Sequence, residues 1–341
     1  MISHSKIRFG MVGAGAIAQS YVQAFEQNKY AELVAVVDVR EDAAGALADA
    51  AGSNCKSYSN YEELINGTSI DAVIVCTPPV THPEICIGLL DKGIHVLCEK
   101  PLAVSPKDAA AMLAAAERSG NQFTMASKFR FVEDVVKAKA IVESGILGEL
   151  ILLENTFTGY VDMTNRWNSK PEVSGGGVLI DNGTHSVDLL RYFLGPLAHI
   201  QAVEGKRTQK IEVEDTVRMF VRTEDDVMGS IDLSWSINKQ LPRYVSIYGT
   251  QGTVIVGWQE SKYRRSTDQS WITFGSGYNK VQAFRGQIEN FAATIQGHET
   301  LVLKPADAMA SVMVIESAYE ALRSNVWVPI KAGLADEFSP A

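Results

Sequence analysis

Length, composition and charge exclude several classes of protein for this chain. Its 341 residues and 37.1 kDa are enough for about two domains, and its 46% hydrophobic and 21% charged residues exclude a disordered or collagen-like chain. The net charge of −9 disfavours nucleic-acid and acidic-membrane partners, and since no apolar run suggests a membrane span or a signal peptide, we expect a cytoplasmic protein.

The first third of the chain alternates between strand and helix patterns. The apolar run at 33–37 is typical of a strand that is covered on both faces. A helix over 106–119 has Ser105 as its expected N-cap and Gly120 beyond its end. Residues 1–128 are therefore predicted to form an α/β domain on a doubly wound parallel sheet of the Rossmann type. Its expected strands are 7–12, 33–37, 72–76, 95–98 and 122–125, and its expected helices are 16–26, 43–51, 82–92 and 106–119.

The pattern changes after this point, so we assign residues 129–341 to a second domain. Apolar and polar residues alternate over 227–235, as in a strand with one covered and one open face. The second domain is predicted to be α+β, with a large, mainly antiparallel open sheet. Its other expected strands are 149–160, 199–206, 216–222 and 243–248, and its expected helices are 133–143, 281–296 and 305–324.

A glycine motif lies between the first strand and the first helix. Gly13 permits a tight turn, Gly15 lets the backbone approach a pyrophosphate, and Ala16 and Ile17 begin the helix whose N-terminus faces the phosphates. Asp38 ends the next strand, where a carboxylate binds the ribose hydroxyls of adenosine. The motif and its context predict a dinucleotide site.

Asp38 and Arg40 give opposite indications about the dinucleotide. The carboxylate of Asp38 repels a 2′-phosphate and favours NAD, whereas the guanidinium of Arg40 is able to cover the adenine or to pair with a phosphate. An ordinary solvated arginine is an equal alternative. We therefore expect NAD, and NADP stays open.

Two further motifs follow strands at the carboxyl edge of the predicted sheet, where ligands bind in such folds. Thr77 and Pro78 begin a rigid turn, and His82 either caps the next helix or lies on the surface. Glu99 and Lys100 follow the next strand, and the lysine is expected to project over the nicotinamide crevice. All five residues of these two motifs are expected to bind the cofactor.

A glycine run in the second domain leads to a candidate acid/base group. The glycines at 175–177 are expected to admit a ligand or the other domain. Asp181 and His185 are four residues apart, hence on one face of a helix, where the carboxylate orients and charge-stabilises the imidazole. A histidine supported in this way is a general acid/base near neutral pH.

Taken together, these motifs resemble the glucose-fructose oxidoreductase / inositol dehydrogenase / rhizopine-catabolism (Gfo/Idh/MocA) family. The resemblance includes the segments 13–18, 77–82, 99–101, 128–131, 175–177 and 181–185. It implies that Lys100 and His185, with Asp181, form the acid/base group beside the nicotinamide. It also implies that Trp167 lies near the cofactor or the substrate, with Trp167 expected to bind the cofactor, although Asn168 follows it where family members often have arginine.

The resemblance further implies an activity and a substrate class. We expect NAD(P)-dependent oxidation of a secondary ring hydroxyl of a sugar, amino sugar, glycoside or cyclitol to a ketone, with Lys100 and His185 able to exchange roles. A homo-oligomer, dimer or tetramer, is expected through the second sheet. The side chains expected to bind substrate are Lys100, Lys128, Arg130, Asn155, Tyr160, Asn182, His185 and Tyr278.

Two other functions stay open at this stage. One is an NAD-dependent glycosidase that works by transient C3 oxidation, and the other is a non-catalytic sensor of dinucleotide and sugar. A bound metal is not expected, because none of the four cysteines lies in a CxxC or CxxH pattern.

Overall fold

The computed structural model describes residues 6–331, which fold into two compact units. The first unit contains the described residues up to Phe131 together with Lys280–Ala308, and the rest of the described chain forms the second unit. Two segments lie outside the described residues. They are residues 1–5, where no signal peptide is expected, and residues 332–341, which end the predicted second domain.

The division into units differs from the predicted boundary at residues 128 and 129. The sequence analysis places everything after residue 128 in one domain, whereas Lys280–Ala308 belongs to the first unit. The physical reason is packing. The helix that begins at Lys280 contacts the helix that follows the first strand, and Phe284 and Phe291 are buried in the core of the first unit.

Strands and helices are numbered separately in chain order. The strands are β1 (Ile7–Val12), β2 (Ala31–Val37), β3 (Lys56–Tyr58), β4 (Ala72–Val75), β5 (His95–Cys98), β6 (Phe123–Met125), β7 (Leu150–Thr158), β8 (His199–Glu204), β9 (Thr216–Arg222), β10 (Met228–Ser234), β11 (Arg243–Gly249), β12 (Gly252–Gly257), β13 (Ser261–Arg265), β14 (Ile272–Gly275) and β15 (Val328–Pro329). The helices are α1 (Ala16–Phe25), α2 (Glu41–Ala51), α3 (Tyr61–Gly67), α4 (His82–Leu90), α5 (Pro106–Ser119), α6 (Glu133–Glu143), α7 (Pro171–Ser174), α8 (Val178–Leu194), α9 (Lys280–Ile295) and α10 (Pro305–Ser324).

The first unit contains a six-stranded sheet in the order β3-β2-β1-β4-β5-β6, with every neighbouring pair parallel. All four residues of β4 are buried, as a strand covered on both faces requires. Strands β2 and β3 lie on one side of β1, and β4, β5 and β6 lie on its other side. The direction of strand addition therefore reverses between β1 and β4, and doubly wound sheets bind their ligands at such a switch point. Ser105 caps α5 by accepting from the Asp108 N–H, as predicted.

The second unit contains a nine-stranded sheet in the order β14-β13-β12-β11-β7-β10-β9-β8-β15. Its neighbouring strands are antiparallel except β7 and β10, which are parallel. Ile231 and Leu233 of β10 are buried whereas Met228 is exposed, which confirms the predicted alternation. The predicted fold class, a Rossmann-type sheet followed by a mainly antiparallel one, is confirmed.

Helix α8 lies against the covered face of this second sheet. A Cβ on Gly229 of β10 would come within 2.6 Å of the Leu190 side chain, and one on Gly183 would come within 3.3 Å of Leu233. These glycines let helix and sheet approach closely, which fixes the position of α8. Within residues 6–331, no helix has both the length and the apolar character that crossing a bilayer requires, and the cytoplasmic location stays a prediction.

Candidate active site

The turn between β1 and α1 contains two glycines with different surroundings. Gly13 has a φ of +103°, and a Cβ there would lie 2.8 Å from the backbone carbon and oxygen of Cys76. A Cβ on Gly15 would meet no atom within 4 Å among the described residues. Ala16 and Ile17 form the start of α1. The turn therefore offers open space beside helix N–H groups, which suits a pyrophosphate.

The carboxylate of Asp38 closes the same turn from the end of β2. One oxygen accepts from the Ala14 N–H at 2.8 Å, and the other accepts from the Arg40 N–H at 2.9 Å and from its guanidinium Nε at 3.3 Å. Burial raises the pKa of Asp38, but these hydrogen bonds outweigh it and leave the pKa lowered. Asp38 is thus held as an anion, and the Arg40 guanidinium is turned toward it.

The segment after β4 contains Thr77 and Pro78 at the carboxyl edge of the first sheet. Thr81 donates to the Thr77 hydroxyl at 2.7 Å and to the Pro78 carbonyl at 2.8 Å, which fixes the turn. His82 begins α4 and is completely buried, so the surface position considered for it is wrong. Burial lowers the pKa of His82, against the opposing effect of the three backbone carbonyls that contact its ring.

The segment after β5 contains Glu99 and Lys100 at the same edge. Glu99 is buried, accepts from the Tyr21 hydroxyl at 2.7 Å and from the Lys100 N–H at 3.1 Å, and Tyr21 accepts in turn from Gln287 at 3.0 Å. These contacts make Glu99 a support for the Lys100 backbone, whereas the sequence analysis expects it to bind the cofactor. Tyr21 and Gln287 were not predicted, since a single tyrosine or glutamine on a helix gives no sequence signal.

The glycine run before α8 makes room for two side chains of the same unit. A Cβ on Gly176 would lie 1.9 Å from the Tyr319 hydroxyl, and one on Gly177 would lie 2.1 Å from the Glu214 carbonyl oxygen. One carboxylate oxygen of Glu214 accepts from the N–H groups of Gly177 and Leu179 and from the Tyr319 hydroxyl, at 2.9 to 3.1 Å. The expectation that these two glycines admit a ligand or the other domain is therefore wrong.

Glu214 and Tyr319, the clamp at the start of α8, hold the helix that bears Asp181 and His185. A carboxylate at a helix N-terminus is favourable because it faces the unpaired N–H groups of the first turn. Burial raises the pKa of Glu214, although the hydrogen bonds from Tyr319, Gly177 and Leu179 oppose that shift. The clamp was missed because its residues are 37 and 105 positions away from their partners.

Asp181 and His185 lie one turn apart on α8, as predicted, and His185 is 8% exposed. The His185 ring meets Phe157 edge-on with 6.5 Å between ring centroids. Phe157 belongs to an aromatic cluster whose centroids are 4.5 to 6.1 Å apart. The members of this cluster are Phe157, Tyr244, Trp258 and Tyr278. Of these, the sequence analysis identifies Tyr278 alone.

Three other side chains proposed for the site are accessible in the second unit. Tyr160 is 61% exposed and Trp167 is 43% exposed, and Asn182 is partly exposed on α8 beside Asp181. Their roles at substrate or cofactor stay predictions.

The remaining three side chains proposed for substrate binding have contacts within their own units. Arg130 is buried and donates to the Val302 carbonyl at 3.1 Å and to the Asp307 carboxylate at 3.4 Å, and its role at the substrate stays a prediction. Asn155 is 1% exposed in β7 and donates to the Tyr244 carbonyl at 2.9 Å. The ammonium of Lys128 lies 5.5 Å from the Phe129 ring centroid.

Comparison with known proteins agrees with this geometry. Residues 7–127 match the model of an oxidoreductase family with an NAD-binding Rossmann fold, and residues 135–255 match the C-terminal domain of the same Gfo/Idh/MocA family. D-glucoside 3-dehydrogenase of Escherichia coli K12 is 31% identical over 68% of each chain. Inositol 2-dehydrogenase of Rhizobium meliloti is 24% identical over 95% of this chain and 99% of its own.

Solved structures show the same fold. Levoglucosan dehydrogenase in complex with NADH superposes with a TM-score of 0.89 at 20% identity, over 96% of this chain and all of that one. The turn at Gly13 and Gly15 and the carboxylate of Asp38 fit a dinucleotide, and the protein is an NAD-binding oxidoreductase. It belongs to the Gfo/Idh/MocA family, which confirms the resemblance seen in the sequence.

Proposed function

We propose that the protein oxidises a secondary ring hydroxyl of a sugar, an amino sugar, a glycoside or a cyclitol to a ketone. The observation that carries this proposal is the position of His185, one helical turn after Asp181 and beside the aromatic cluster. The C–H face of a pyranose or cyclitol ring packs well on aromatic rings, while its hydroxyls need an acid/base group. The names of the glucoside and inositol dehydrogenases among the relatives support the same substrate class.

Each residue has a defined role in this proposal. His185 removes the proton from the substrate hydroxyl, and Asp181 orients the imidazole and stabilises its positive charge. Lys100 donates a hydrogen bond to the same oxygen and stabilises the negative charge that develops there. Lys100 and His185 are able to exchange these roles. Gly13, Gly15 and Asp38 would hold NAD, which would supply the hydride acceptor for this oxidation.

The proposal is tested by single-turnover measurements of NADH formation with a panel of sugars, glycosides, amino sugars and inositols, each offered with NAD and with NADP. We expect a stoichiometric rise in NADH absorbance with at least one member. On that substrate, His185→Ala and Lys100→Met should each lower the rate by about 10²- to 10⁴-fold, the usual contribution of a positioned acid/base group. Rates near wild type in both variants would contradict the proposed mechanism.

The same assay separates the two other functions. Net hydrolysis of a glycoside without accumulation of NADH identifies a glycosidase that oxidises its substrate transiently. Binding of NADH and sugar without turnover identifies a sensor. Either result replaces the dehydrogenase assignment while leaving the family unchanged.

Self-association through the second sheet is also part of the proposal. Met228, Phe220 and Val203 lie on one face of neighbouring strands and are 39% to 54% exposed. Large apolar side chains grouped on an open sheet face favour contact with a second copy. Sedimentation velocity of the wild type and of Phe220→Asp tests this, and a wild-type protein that sediments as a monomer would contradict it.

A further inference from the structure

The His82 ring joins two backbone segments at the carboxyl edge of the first sheet. Its Nε2 lies 2.9 Å from the Thr77 carbonyl oxygen, and its Nδ1 lies 3.0 Å and 3.2 Å from the carbonyl oxygens of Pro101 and Leu102. The first carbonyl belongs to the segment after β4 and the other two to the segment after β5. The ring has no exposed surface, so it acts on a ligand through these two segments.

The ring lies between carbonyl groups of both segments. A carbonyl oxygen accepts hydrogen bonds and cannot donate them, so each bond needs a ring N–H. Burial lowers the pKa of His82 and favours the neutral ring with its single N–H, so the ring donates to one segment and packs against the carbonyl of the other. The two segments end neighbouring strands, because Val75 of β4 pairs with Cys98 of β5. Contact of one rigid ring with carbonyl groups of both segments therefore fixes the spacing of the two segments.

Buried side chains support the backbone before and after Lys100. On one side its own N–H donates to Glu99, whose carboxylate is held by Tyr21. On the other side the next carbonyl along the chain, that of Pro101, contacts His82. The peptide group before the lysine and the peptide group after Pro101 are thus contacted by buried side chains.

We propose that His82 is a positioning residue for Lys100, because it ties the Pro101 and Leu102 carbonyls to the Thr77 carbonyl and so fixes the backbone from which the lysine projects. This inference rests on the proposed function, in which Lys100 acts on the substrate hydroxyl. The hydrogen-bond partners of the ring are the Thr77, Pro101 and Leu102 carbonyls and not the turn at Gly13 and Gly15, so we expect the main effect on kcat.

The test compares His82→Leu and His82→Gln with a matched control, His95→Leu. His95 begins β5, the strand that Lys100 follows at the other end, and its Nδ1 accepts from the Gln122 N–H at 2.8 Å. We expect His82→Leu to lower kcat by about tenfold to hundredfold, as displacement of a catalytic group by about 1 Å does. NADH affinity, measured by fluorescence titration, should change by less than about threefold. His82→Gln keeps a donor and should recover part of the rate, while His95→Leu should lose stability without losing kcat.

A double variant distinguishes positioning from general loosening of the fold. If His82 acts through Lys100, then His82→Leu combined with Lys100→Met should be no slower than Lys100→Met alone, because coupled residues are not additive. Additive losses, or a normal kcat in folded His82→Leu or His82→Gln, would overturn the inference while a slow Lys100→Met still supports the proposed function. A fast Lys100→Met would instead reject the proposed function itself.

Discussion

The two glycine-rich segments of the protein look alike in sequence and have different roles in the structure. At Gly15, in the turn before α1, an added Cβ would meet nothing within 4 Å among the described residues. At Gly176 and Gly177, before α8, an added Cβ would lie 1.9 Å from the Tyr319 hydroxyl and 2.1 Å from the Glu214 carbonyl oxygen. The first segment leaves room for a ligand, and the second leaves room for the protein's own side chains and backbone.

This difference shows what a glycine motif does and does not establish. A glycine allows close approach, but the partner that approaches is fixed by the rest of the fold. At α1 no described atom approaches Gly15, and the proposed partner there is the cofactor, so we assign the first segment to binding. At α8 the partners belong to the clamp at the start of α8, so the second segment belongs to stability and to the placement of His185.

The largest expected effect is on the folding stability of Gly177→Ala. Its Cβ would overlap the backbone of Glu214, which cannot move as a flexible side chain would. We expect a loss of about 3 kcal/mol in the free energy of unfolding, at the upper end of overpacking effects. The measurement is urea denaturation followed by circular dichroism.

The control for Gly177→Ala is Gly159→Ala in the same unit, whose Cβ would meet no described atom within 4 Å. It should change stability by less than about 0.5 kcal/mol, as substitutions at open positions do. Equal stability for the two variants would show that the clamp does not restrict this segment, and the comparison between the two glycine-rich segments would fail.

The sequence allows good prediction where the determining residues are neighbours in the chain. The turn at Gly13, the carboxylate of Asp38 and the capped helix α5 follow from a few adjacent residues. Short or exposed elements were not predicted. Strand β3 has three residues, two of them exposed, and therefore lacks an apolar run that would identify it.

Long-range packing explains three further features that were not predicted from the sequence. The apolar stripe of α9 identifies a helix but not the sheet against which it packs, so its place in the first unit was missed. Glu214 and Tyr319 of the clamp contact the start of α8 from distant parts of the chain. The ring of Trp258 joins the aromatic cluster through a contact with Tyr244. No local pattern marks such residues.

The next largest effect is on cofactor affinity in Gly15→Ser. Gly15 is the N-cap of α1 with a φ of −76° and a ψ of −173°, a conformation that serine adopts readily. The new side chain would occupy the space that a pyrophosphate needs, so the Kd for NADH should rise by about tenfold or more. Stability should be unchanged or raised by a few tenths of a kcal/mol, since serine is a better cap than glycine.

Gly15→Ser thus reverses the pattern expected for Gly177→Ala, which loses stability. Fluorescence titration with NADH and thermal unfolding of the same preparation measure both quantities. A variant that loses stability but keeps NADH affinity would remove the distinction between the two glycine-rich segments.

The smallest expected effect is the pH dependence of NAD affinity, which tests how firmly Asp38 is held in the first segment. Burial raises the pKa of Asp38, but hydrogen bonds from Arg40 and Ala14 lower it by more than burial raises it. The pKa of the folded carboxyl therefore lies below the ordinary value of about 3.9. The carboxylate that would bind the ribose hydroxyls is therefore present at every pH above the lowered pKa, and its contribution is lost as the pH falls through that pKa. We expect the Kd for NADH to be constant between about pH 8 and pH 5.

Asp38→Asn should weaken NADH binding equally across this range. It should also narrow the difference between the Kd for NADH and the Kd for NADPH, because the charge that repels a 2′-phosphate is gone. A Kd that rises between pH 7 and pH 5 in the wild type but not in Asp38→Asn would show that Asp38 protonates more easily than its hydrogen bonds imply.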